Sequence, residues 1–192
     1  MPMRFWQEWQ AQRLLRRRAS NYVRALQREP SDADIAWLAA NGTAGDEDHA
    51  RWELRYARRA LGLLAAERDA LDDRTASVVA RELTTSLQRD PNVAAAMLRV
   101  VERQLNARLR VYREALGTRD AGRTVRARLG QTLMSFAAGE RKGGASEAQV
   151  AHAGEVLARY LAESNEGLRR EFGAAELPED VPPSAAAGAR PQ

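Results

Sequence analysis

The stretch DEDHARWELRYARRALGLLAAER, residues 46–68, decides the fold class. Three acids, Asp46, Glu47 and Asp48, stand where a helix begins and suit the positive end of its dipole. Behind them Trp52, Leu54, Tyr56, Leu61, Leu63 and Leu64, continued by Leu71, cover well over half of a helical circumference. Arg51, Arg55, Arg58 and Arg59 take the strip that remains. A helix apolar over so wide an arc must pack against at least two neighbours. This segment is expected to be the central helix of an all-α protein.

Working toward the C-terminus, Asp72-Asp73 reads as a cap before a helix from about 75 to 89, with Val79, Leu83 and Leu87 inward. Asp90-Pro91 suggests an N-cap followed by a proline at the first helical position. The helix it would start runs to Gly117, with Leu98, Val101, Leu105, Leu109, Tyr112 and Leu116 at steps of three and four. After a break near Asp120-Ala121-Gly122, Val125, Leu129, Leu133 and Phe136 mark another helix that stops at Gly139. Gly143-Gly144 forms a joint, and Ser146 with Gln149 is a capping box. The last helix carries Val150, Leu157, Tyr160, Leu161, Leu168 and Phe172.

Working toward the N-terminus, residues 41–45 (Asn-Gly-Thr-Ala-Gly) form a loop with two glycines free to take positive φ. Ser31 caps a short helix through Ile35, Trp37 and Leu38. Pro30 closes a first helix spanning about Arg4 to Arg28. On that helix Leu15, Ala19, Tyr22, Val23 and Leu26 share one face, and Arg13, Arg17, Arg24 and Arg28 share another. No segment alternates apolar and polar residues as a strand would. The expectation is a single all-α bundle of about six helices over residues 1–172, with 1–29 as an amphipathic Trp/Arg-rich first helix. A short tail, 173–192, rich in Pro, Ala and Gly, is expected to be disordered.

Composition removes whole classes of chemistry. There is no cysteine, hence no disulfide, thiolate metal site or cysteine nucleophile. The net charge is only +4, and Lys142 is the single lysine among the basic residues. Arginine keeps its proton to very high pH, so the basic isoelectric point does not imply a strong field at neutral pH. No run approaches the ~20 apolar residues of a membrane span, and the N-terminus has no apolar signal core. A cytoplasmic protein is expected.

Among specific motifs, metal binding in a bundle would call for Glu-x-x-His pairs. His49 and His152 are the two histidines, preceded three residues earlier by Asp46 and Gln149, so no metal or other cofactor is expected. Neither a nucleophile elbow nor a phosphate loop is present; the glycines and cations of 139–144 follow no strand. The arginines between Arg119 and Arg128 lack a helix-turn-helix context, and specific nucleic-acid recognition is not expected. An acidic pocket beside the central helix, using Glu53, Glu67 or His152, is one reading of ligand binding or catalysis. Glu53 and Glu67 are about 21 Å apart along a helix, too far to act on one bond, and each invites an arginine partner.

The leading expectation concerns the first helix. Phe5, Trp6 and Trp9 stand ahead of Arg13, Arg16, Arg17 and Arg24, and aromatic residues with arginine are the composition of interface hot spots. Trp6 falls near the arginine stripe rather than on the apolar face. The sequence is therefore read as a non-enzymatic scaffold, accessory subunit or self-associating protein acting through this helix. Binding to an anionic membrane surface is a further alternative.

Overall fold

The computed structural model describes residues 2–69, 72–118, 122–139 and 144–173, with side chains from Trp6 onward. Leu71, Arg119, Asp120, Ala121, Lys142, Gly143, the side chain of Phe5 and the tail from residue 174 lie outside the described residues. The described chain forms seven α-helices and no strand. They are α1 Pro2–Leu26, α2 Asp32–Asn41, α3 Glu47–Asp69, α4 Asp73–Gln88, α5 Leu98–Gly117, α6 Val125–Ala138 and α7 Glu147–Phe172. A 3₁₀ turn, Ala95–Met97, leads into α5.

The local signals act where the sequence places them. The Asp34 N–H donates to Ser31 Oγ at 3.1 Å, and the Thr75 N–H donates to Asp72 at 2.6 Å. Both halves of the Ser146/Gln149 capping box form, at 3.3 and 2.8 Å. Gly139 and Gly173 close α6 and α7 with φ of 58° and 88°, a region that favours glycine. In the 41–45 loop only one glycine, Gly45, has positive φ; the neighbouring strained position is Ala44, at 54°.

Helix α3 is the axis of the molecule, touching each of the other six helices. Every residue from Glu53 to Ala66 is buried. Burial takes in the strip of Arg55, Arg58 and Arg59 as well. With neighbours on all sides it is nearly shut off from water, and each arginine meets an acid from another segment. Arg55 makes two bonds to Glu29, at 2.6 and 3.0 Å. Arg58 lies 3.4 Å from Glu163 and 4.2 Å over the Tyr160 ring. Arg59 reaches Asp90 at 2.6 Å.

The Arg59–Asp90 pair accounts for a correction, at the start of α5. Asp90-Pro91 does not open a helix. The Asp90 carboxylate faces the buried Arg59 and accepts from the Asn92 backbone and side chain, both at 3.0 Å. The chain turns there, with the Val93 N–H donating to the Asp90 carbonyl, and α5 begins only at Leu98.

Two helix contacts run backbone to backbone. At the α6–α7 crossing a Cβ on Gly130 would lie 2.0 Å from the Val150 carbonyl oxygen, and one on Gly154 2.5 Å from that of Arg126. On α3, Gly62 leaves room for Leu26, and its carbonyl accepts the Tyr22 hydroxyl at 2.8 Å. Among the described residues no helix is long and apolar enough to cross a membrane.

Candidate functional site

Helix α1 divides into two parts. Ala19, Tyr22, Val23 and Leu26 are buried against α4, α7 and α3. Ahead of them, every side chain from Trp6 to Leu14 is exposed, including Trp6 at 61 %, Trp9 at 48 % and Leu14 at 48 %. Leaving such large apolar side chains in water forgoes about 1.5–3 kcal/mol each. The buried half anchors the helix, and its regular hydrogen bonding carries the exposed half outward.

At 100° per residue, Trp6, Trp9, Arg13, Arg16, Arg17, Ser20 and Arg24 fall within an arc of about 100°. Aromatic and guanidinium groups thus share one face. The Arg13 guanidinium sits 5.4 Å from the Trp9 ring centroid, and Trp9, Gln12, Arg13 and Arg16 outline a shallow depression. The remaining apolar residues, Leu14 and Leu15, lie on other sides of the helix. Over residues 6–18 the charge is +3, from Arg13, Arg16, Arg17 and Arg18 against Glu8.

The same face runs down into a cleft of about 320 Å³ between α1, α4 and the 90–92 turn, lined by Ser20, Arg24, Gln27, Glu29, Arg59, Glu82, Arg89 and Asp90 among others. Arg59, 2 % exposed, forms its base. Burial works to raise the Asp90 carboxyl, but the Asn92 N–H and the Arg59 guanidinium outweigh it and hold that carboxyl below the ordinary range. Sequence reasoning missed this cleft. Arg59 was placed only on the strip left by the apolar arc of α3, and nothing in the linear chain brings Arg24, Arg89 and Arg59 together.

The residues of the acidic-pocket reading are placed apart. Glu53 is buried and held by a two-bond pair to Arg108 of α5, with His49 Nε2 at 3.4 Å. Arg108 in turn lies 4.4 Å over Phe136 and 5.3 Å over Tyr56. Glu67 pairs with Arg113 at 2.7 Å on an exposed surface. His152 is exposed on α7, its ring 4.1 Å from that of Trp37 on α2. A second cleft, of about 390 Å³, lies between the end of α2, α6 and the start of α7, lined by Asn41, Met134, Ser135 and Gln149 among others. No group of three or more potential metal-ligating side chains occurs among the described residues.

No protein-family model, curated protein or solved structure matches the chain.

Proposed function

We propose that this chain is a non-enzymatic interaction protein whose helical body presents the N-terminal half of α1 to an acidic protein partner. The observation that carries the reading is the unbroken exposure from Trp6 to Leu14 on a helix whose later turns bury Ala19, Tyr22, Val23 and Leu26. Tryptophan and arginine are the residue types that dominate binding energy when desolvated by a partner. The helix is held in place before binding, which limits the ordering cost of association.

Charge selects among occupants. A second copy of the same surface would bring two segments of +3 together, and like charges in register are costly. An anionic membrane would attract the arginines, but a helix lying in the interface needs one continuous apolar face, and Trp9, Leu14 and Leu15 are spread around this one. A carboxylate-rich protein groove satisfies both the guanidinium groups and the indole rings.

The test is photo-crosslinking in the native cell from a reactive residue at position 10, beside the stripe. The captured partner should be acidic. Its binding to the purified chain should weaken with salt and fall at least tenfold in the Trp6→Ala/Trp9→Ala double variant, which should keep full helicity. Light scattering that shows a stable homo-oligomer dissociated by the same double variant would overturn the reading, as would a partner whose binding ignores both the tryptophans and salt.

A further inference from the structure

The cleft at the base of the arginine stripe is a separate matter from partner docking, because its chemistry centres on a buried cation. Arg59 has five N–H donors. Nη2 serves Asp90, while Nε and Nη1 find no acceptor within the protein. A buried donor left without an acceptor is unfavourable, the more so when it is charged. Arg59 is therefore underused at the floor of an open cavity.

The acids of the cleft are largely committed elsewhere. Glu29 gives both carboxylate oxygens to Arg55. Asp90 is shared between Arg59 and Asn92. Arg24 and Arg89, by contrast, line the cleft without any side-chain hydrogen bond or ion pair, as does Glu82. Ser20 and Gln27 add uncommitted polar groups on the α1 wall. The unspent charge is two arginines against one glutamate, beside a third arginine whose Nε and Nη1 are buried without an acceptor.

We infer that this cleft binds a phosphate group, free or as the monoester of a small molecule. A carboxylate can be satisfied by one bidentate guanidinium. Donors from α1 and the end of α4, above the buried guanidinium of α3, instead suit a tetrahedral group with three outward oxygens. Glu82 faces the same space and complements a hydroxyl or ammonium group on the ester's organic part. The volume of about 320 Å³ accommodates a small ester.

The experiment is isothermal titration of the full chain with inorganic phosphate, phosphoethanolamine and acetate at low salt. Either phosphate compound should bind one to one, with acetate at least tenfold weaker. Tighter phosphoethanolamine identifies a monoester site, and tighter inorganic phosphate a site for the free ion; each upholds the inference. Arg24→Gln with Arg89→Gln, both at the exposed rim, should weaken binding at least tenfold without changing helicity. Glu82→Gln should strengthen inorganic phosphate and weaken the preference for phosphoethanolamine. Arg13→Gln with Arg16→Gln, outside the cleft, should leave binding unchanged. Equal binding of acetate, no saturable binding, or an equal loss in the Arg13/Arg16 variant would overturn it. That last variant weakens partner binding if α1 docks an acidic protein, so the two readings fail separately.

Discussion

At the residue scale, two glycines show how much a single hydrogen atom holds in this fold. Gly130 and Gly154 let α6 and α7 approach until the hypothetical Cβ positions overlap carbonyl oxygens at 2.0 and 2.5 Å. Those oxygens belong to helix backbone and cannot swing aside, so Gly154→Ala must push the helices apart. A loss of about 2–4 kcal/mol in denaturant unfolding is expected, at or above the upper end for overpacked sites. Gly117→Ala is the control: open space surrounds that position, and the change should be neutral or stabilising by up to about 1 kcal/mol. A sequence shows that glycines are present but not what stands over them, so neither position could be singled out beforehand.

Asp90 carries a pH prediction of the same scale. Its carboxyl is held below the ordinary range in the folded chain. The stability it provides is complete above the unfolded value of about 3.9 and is lost as pH falls through the lower folded value. Urea midpoints should therefore be insensitive to this group above about pH 5 and decline below about pH 4. Asp90→Asn should lower stability at neutral pH and flatten part of the acid decline. The buried Arg59 partner makes this pair sensitive to removal of one member, since an uncompensated buried charge costs about 3–5 kcal/mol.

At the scale of the element, α1 contains two helices in one, an anchor and a projection. Removing residues 1–14 should leave a folded chain whose melting temperature changes little, because no side chain from Trp6 to Leu14 is buried. Removing residues 1–26 takes away Ala19, Tyr22, Val23 and Leu26, all buried, and should abolish cooperative melting. Circular dichroism distinguishes the outcomes. The composition of this element was legible, including the displacement of Trp6 from the apolar face. Its division was legible in part, since the inward face begins only near Leu15. The start of α5 was misread because a side chain from α3, thirty-one residues away in sequence, claims the would-be cap.

For the molecule as a whole, the wide apolar arc of residues 52–64 correctly foretold a helix surrounded by others. What it could not foretell is that the surrounding would be complete. A helical wheel divides residues by polarity, and arginines on the minority strip are assigned to water unless an opposing acid is already known. Glu29, Asp90 and Glu163 are scattered over 134 positions' separation, so the pairing emerges only in three dimensions. The same closure governs the tyrosines. Burial raises the hydroxyl of each of the four above the ordinary phenol value, that of Tyr160 to about 12. A raised folded value stabilises the fold below the unfolded value of about 10 and loses that contribution as pH rises beyond it. Alkaline titration should show little tyrosinate absorbance at pH 10, then a cooperative rise coinciding with loss of helicity.

The central position of α3 also has a consequence in time. Its partners on one side, Arg108 and Glu163 among them, lie far downstream. Chain elongation at about 5–20 residues per second leaves α3 on the ribosome for roughly 5–20 s before α7 is complete. During that interval the side of α3 that α7 will cover stays open, while α1 and α2, made earlier, can already pack on it. Glu29, already made, can engage Arg55 at once, giving the nascent segment one early clasp while the rest of its sheath is still being translated.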